Sequence, residues 1–122
     1  MSKNKGFSST SANRYSLALY ELAEESNSLI QIEQNSIALL DLISNDKNFR
    51  NFIKDPSIKR EILISVINKM SDVSKLDILF KNFLNFLVTK RRFFFVEQIL
   101  ASFIEICSEK RGELKAEIKS AK

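Results

Sequence analysis

The chain has 122 residues, long enough to bury a core without metal or disulfide support, and its one cysteine excludes an internal disulfide. Hydrophobic residues at 44%, charged residues at 28%, two glycines and one proline describe a helix-rich globular chain, not a disordered one. With no histidine and no second cysteine, zinc sites and histidine-based acid/base catalysis are excluded, and the net charge of +4 is scattered along the sequence.

Taken in order, Met1 to Thr10 is polar, serine-rich and aperiodic, which reads as a mobile arm lacking the apolar run of a secretory signal. Ser11 is placed to cap a first amphipathic helix with Tyr15, Ala18, Leu19, Leu22, Ala23 and Ser26 on one face. Ala18 and Ala23 are small enough to let another helix come close. Ser28 and Gln31 have capping-box spacing ahead of a second helix to Asn45, with Leu29, Ile32, Leu40 and Ile43 on one face and Ile30 and Ile37 on another. A short third helix from Asp46 to about Lys54 buries Phe49, Phe52 and Ile53 before Asp55 and Pro56 interrupt it. Ile58, Ile62, Val66, Ile67 and Met70 mark a fourth helix that ends near Ser71 and Asp72.

The stretch from Ser74 to Cys107 carries the strongest pattern. At about 100° per residue, Leu76, Phe80, Phe83, Leu84 and Leu87 form a broad face that Leu79 and Phe86 widen, an arc too wide for one neighbouring helix to cover. Ser74 or Asp77 can cap this fifth helix. After Lys90, Arg91 and Arg92 comes a second series, Val96, Ile99, Leu100, Phe103 and Cys107, so the fifth and sixth helices are expected to form an antiparallel hairpin, the spine of the bundle. Cys107 reads as a buried small hydrophobe. Gly112 is the natural stop of the sixth helix. Beyond it Leu114, Ala116, Ile118 and Ser120 alternate with Lys115, Glu117 and Lys119; either this tail is a strand opening a second domain, the preferred reading, or it extends the sixth helix, where Leu114, Glu117, Ile118 and Ala121 align. The expected organisation is therefore an arm over 1–10, an all-α six-helix bundle over 11–112 and the start of a further domain over 113–122.

Four segments in order, ANRYSLALYELA from Ala12, FRNFIKDP from Phe49, FLNFLVTKRRF from Phe83 and GELKAEIKSA from Gly112, resemble the delta subunit of the rotary ATP synthase, the oligomycin-sensitivity-conferring protein family. The resemblance implies the six-helix N-terminal domain of a non-catalytic stator subunit of F-type ATP synthase, without cofactor or metal. That domain sits on the F1 head and takes the N-terminal helix of an alpha subunit in a groove between its first and fifth helices. The C-terminal portion of such a subunit reaches the b subunits of the peripheral stalk. The implied location is peripheral, on the cytoplasmic face of a bacterial inner membrane or on the matrix side in a mitochondrion, with no direct membrane insertion. Carried onto this chain, the groove positions are Tyr15, Ala18, Phe83 and Phe86, to which the helical wheel adds Leu22 and Leu79. Many members have a small residue where Arg91 stands, so the turn before Arg92 and Phe93 departs from the pattern.

Phe86 is the best groove candidate, lying at the edge of the apolar arc beside Asn82 and Asn85, whereas Tyr15 and Phe83 read equally as core. A competing function is a basic helical nucleic-acid-binding module, which would need exposed aromatics beside a contiguous basic surface near Lys90 to Arg92; the pattern buries most of the aromatics. An enzyme has the least support, because no nucleophile with a base and no glycine-rich phosphate loop is present.

Overall fold

A computed structural model describes the backbone of residues 2–120 and the side chains of residues 12–111. The described residues form six helices and no strand: α1 Ser2–Glu25, α2 Leu29–Asn45, α3 Lys47–Lys54, α4 Arg60–Ser74, α5 Ile78–Thr89 and, after a 3-10 turn over Phe93–Phe95, α6 Val96–Ser120. The all-α bundle expected from the helical periodicity is the observed fold.

α1 buries Ala12, Ser16, Leu19, Tyr20 and Ala23 against the core. Three of these five are small, so α6 can approach closely, and the buried Ser16 hydroxyl shares its single proton between Ala12 O at 2.6 Å and Ile99 O on α6 at 2.7 Å. α6 answers with Val96, Ile99, Leu100, Phe103 and Cys107, all buried. It lies along α1 and α2, while α5 packs chiefly on α4. The spine is therefore α1 with α6 and not the expected α5–α6 hairpin. The reason lies in the connection: Arg91 turns left-handed at φ 61° and the 3-10 turn adds length, so the two helices leave the corner on different neighbours.

Several side chains lock the helices together. Asp46 caps α3 by accepting from Phe49 N at 3.1 Å, and Asp77 caps α5 by accepting from Leu79 N at 2.9 Å, so of the two candidates for that cap Asp77 serves and Ser74 ends α4. The start of α5 is tied to α2 by Asp77 N donating to Asn35 Oδ1 at 2.9 Å. Glu97, in the first turn of α6, meets Arg50 at 3.6 Å and Lys54 at 3.3 Å on α3. Arg111 near the far end of α6 grips Glu33 of α2 with two bonds of 2.8 Å.

Three expectations are corrected at the helix ends. α1 runs from Ser2 through Ser11, so Ser11 is not its cap and 2–10 is helical in place of the expected arm; extending a formed helix adds one bond per residue without a new nucleus. α6 likewise runs through Gly112 to Ser120, so neither the glycine stop nor the strand is found; no strand among the described residues offers a ladder, and a helix satisfies its backbone alone. Ser28 precedes α2 as expected but makes no side-chain cap bond, because φ −119° and ψ 21° take it out of the extended conformation an N-cap hydroxyl needs. Its N–H is committed instead to closing α1, donating to Ala23 O at 2.9 Å.

A candidate helix-binding groove between α1 and α5

α1 carries more apolar surface than the core uses. Roughly a quarter-turn round the helix from the core face lies a second stripe, Tyr15, Ala18 and Leu22, at the spacing that keeps residues on one side of a helix. α5 has the same excess: Phe80, Leu84 and Leu87 go into the core, while Leu79, Asn82 and Phe86 flank it. Where the two excess stripes meet they leave an open groove of about 400 Å³ lined by Ala18, Leu22, Leu79, Asn82, Phe83 and Phe86.

The structure thus brings all six sequence-chosen residues to one place. Five of them line the groove, and Tyr15 closes one end, its ring edge-on to Phe86 at 6.1 Å and 60°. Their exposures differ in a useful way. Phe83 is buried and serves as floor, anchored in the core, whereas Leu22 and Phe86 are 46% and 43% exposed and form the walls. Two large apolar side chains left partly exposed along one furrow are costly to leave in water, at about 1.5–3 kcal/mol for each when fully covered. Asn82 was not among the chosen residues. It falls on the same α5 stripe between Leu79 and Phe86, so the helical wheel contains it, but its polarity hid it among residues sought for their apolarity. Lys90, one turn beyond Phe86, belongs to the basic run that the sequence offers either as a contact for acidic residues of a partner or as a solvated turn; its Nζ stands 5.7 Å from the Phe86 ring centroid.

No group in the groove is arranged for chemistry. The lone thiol, Cys107, is on the core face of α6, and its pKa is pushed up to about 11, first by burial and then by the Glu33 carboxylate, so it stays protonated at neutral pH. No cluster of three metal-ligating side chains exists among the described residues, and no helix there is long and apolar enough to cross a membrane. The basic run at the end of α5 has Arg91 exposed and Phe94 41% exposed, but Phe93 buried, so it lacks a row of stacking aromatics. The groove's chemistry suits the apolar face of a helix.

Comparison with known proteins identifies the family. The family model of the ATP synthase delta (OSCP) subunit matches residues 12–122. The chain is 56% identical over 122 residues to the ATP synthase subunit delta of Pelagibacter ubique (strain HTCC1062), covering all of this chain and 66% of that protein. It is 32% identical over 121 residues to the ATP synthase subunit delta of Brucella suis biovar 1 (strain 1330), covering 99% of this chain and 65% of that one. The chain thus spans about two thirds of the length of these relatives. Among solved structures, a chain of the Toxoplasma gondii mitochondrial ATP synthase hexamer superposes with a TM-score of 0.72 at 23% identity, over 75% of this chain and 51% of that one, a likeness of fold.

Proposed function

The chain belongs to the ATP synthase delta (OSCP) family, and from that premise we propose that it is the helical domain of a non-catalytic stator subunit, holding the F1 head by taking the N-terminal helix of an alpha subunit into the α1–α5 groove. The observation that carries this reading is the groove itself, an apolar furrow of about 400 Å³ between two helices whose core-facing sides are already buried. A helix laid there buries the walls Leu22 and Phe86 and completes the packing that α1 and α5 leave open. Residues 113–122 lead toward the portion that joins the b subunits of the peripheral stalk. In such a link the domain catalyses nothing; it transmits force, which is consistent with a site made of packing surfaces and without an activated nucleophile.

The test is a titration of the protein with a synthetic peptide spanning the alpha-subunit N-terminal helix of the same organism, and separately with a single-stranded oligonucleotide. Saturable peptide binding that shifts the amide signals of Ala18, Leu22, Asn82 and Phe86 is the expected result. Binding of the oligonucleotide alone, centred on Lys90 to Arg92, would replace this reading with the nucleic-acid one.

A further inference from the structure

The groove has two electrically different ends. Tyr15 meets Phe86, while Leu22 and Leu79, each seven residues away on its own helix, line the same furrow, so α1 and α5 run in opposite directions along it. One turn past Phe86, on the same stripe of α5, stands Lys90, its ammonium leaning back over the Phe86 ring at 5.7 Å. One turn past Leu22, at the edge of the α1 stripe, stands Glu25 at the opposite end, exposed. Neither Lys90 nor Glu25 forms an ion pair among the described residues, although Glu97 and Glu33 elsewhere on the bundle are both paired. Arg14 beside Tyr15 and Glu21 beside Leu22 are exposed and repeat the same signs at the same two ends. Along the helix axis the two charged ends lie about 15–21 Å apart, three to four helical turns.

We infer that the groove is read by charge register as well as by shape: its occupant is an amphipathic helix whose apolar stripe ends in a carboxylate beside Lys90 and in a cationic side chain beside Glu25. This rests on the groove being a helix-binding site. Shape alone would leave a helix free to slide by a turn or to lie in either direction, since leucine-sized anchors repeat at every turn. Two unpaired charges of opposite sign at fixed separation remove that freedom, because a reversed occupant meets like charge at both ends and one shifted by a turn carries its charges away from their partners. The Lys90 ammonium is the stronger selector, held over an aromatic ring that the occupant itself must cover, where partial desolvation sharpens its preference for a carboxylate.

The experiment repeats the alpha-subunit peptide titration with wild-type protein, K90Q and E25Q at 50 mM and 500 mM salt. Both side chains are exposed, so neutralising them leaves the bundle folded. Each substitution is expected to weaken binding about 2- to 5-fold at low salt and to have almost no effect at high salt, where exposed charges are screened. A nitroxide on the acidic end of the peptide should broaden the amides of Val88 to Lys90, and one on the basic end those of Ala23 to Glu25. Wild-type affinity in both variants at low salt, or broadening in the reverse sense, overturns the charge register and leaves the groove reading standing. Failure of the peptide to bind the wild-type protein at either salt overturns the groove reading, and this inference with it.

Discussion

Phe80 and Phe86 lie six residues apart on one helix and have opposite fates, 0% and 43% exposed, which makes them the sharpest pair for separating packing from recognition. An aspartate in place of Phe86 keeps its charge in water at the groove wall and removes an anchor; Phe86→Asp should lose about 2 kcal/mol or more of peptide binding with little change in melting temperature. Phe80→Asp puts an unpaired charge in the centre of the core and should unfold the domain. If circular-dichroism melts show the two variants equally unstable, Phe86 is a core residue. Cys107 supports a second prediction at this scale. Burial, then repulsion by Glu33, pushes the thiol from its ordinary value near 9 up to about 11, against the opposing charge of Arg111. An acid whose folded-state pKa is raised binds more protons folded than unfolded once the pH passes the unfolded value. Stability is then whole below about pH 9 and falls between pH 9 and pH 11, by roughly 2–3 kcal/mol from this group. Urea melts should show Cys107→Ala less stable at pH 7 because of its cavity, but with a shallower decline between pH 9 and pH 11; parallel declines would refute the assignment.

At the scale of elements, three helices end in the same way. Asn27, Lys75 and Arg91 take left-handed φ values of 57°, 54° and 61°, and in each case the next residue's N–H reaches back five residues, to Ala23, Ser71 and Leu87. This is the Schellman closure, which glycine accepts without strain and asparagine tolerates, while a lysine or arginine bears the Cβ clash. Arg91→Gly should therefore stabilise the domain by about 0.5–1 kcal/mol, the relief of strain exceeding the extra freedom of the unfolded chain; a lower urea midpoint would show that the arginine side chain contributes packing that outweighs it. The same ends explain what the sequence could and could not tell. Helices α2 to α5 were legible because apolar residues recur every three or four positions between hard stops such as Asp55–Pro56. The groove was legible because Phe86 and Leu79 sit outside the arc that Phe80, Leu84 and Leu87 fill. Helix pairing was not: periodicity says which face is apolar and not which partner covers it, and α6 went to α1 because Ala12, Ser16 and Ala23 let it approach. The outer ends of α1 and α6 were misjudged because polar alternation and a single glycine are weak signals against the low cost of extending a helix already formed.

Taken whole, the bundle makes α1 the shared wall of two compartments, the core it forms with α6 and the groove it forms with α5. If the described domain unfolds as one cooperative unit, a helix bound in the groove must stabilise residues that it never touches. At a free peptide concentration one hundred times its Kd the native state gains about 2.7 kcal/mol, which for a domain of this size raises the melting temperature by roughly 8–12 °C. Amides that exchange only through global opening, such as those around Phe103 in the α1–α6 interface, should then slow by about 100-fold, as much as those of α5 beside the peptide. Phe86→Asp supplies the control: the same peptide should leave both its melting temperature and its exchange rates unchanged. A different outcome is informative in a specific way. Should exchange slow in α5 and in the groove face of α1 while Phe103 is unaffected, the groove opens as a local unit, and in the proposed stator role force would reach the rest of the bundle through a joint. Uniform slowing means that the bound helix and the α1–α6 core form a single elastic body, the behaviour a torque-bearing link requires.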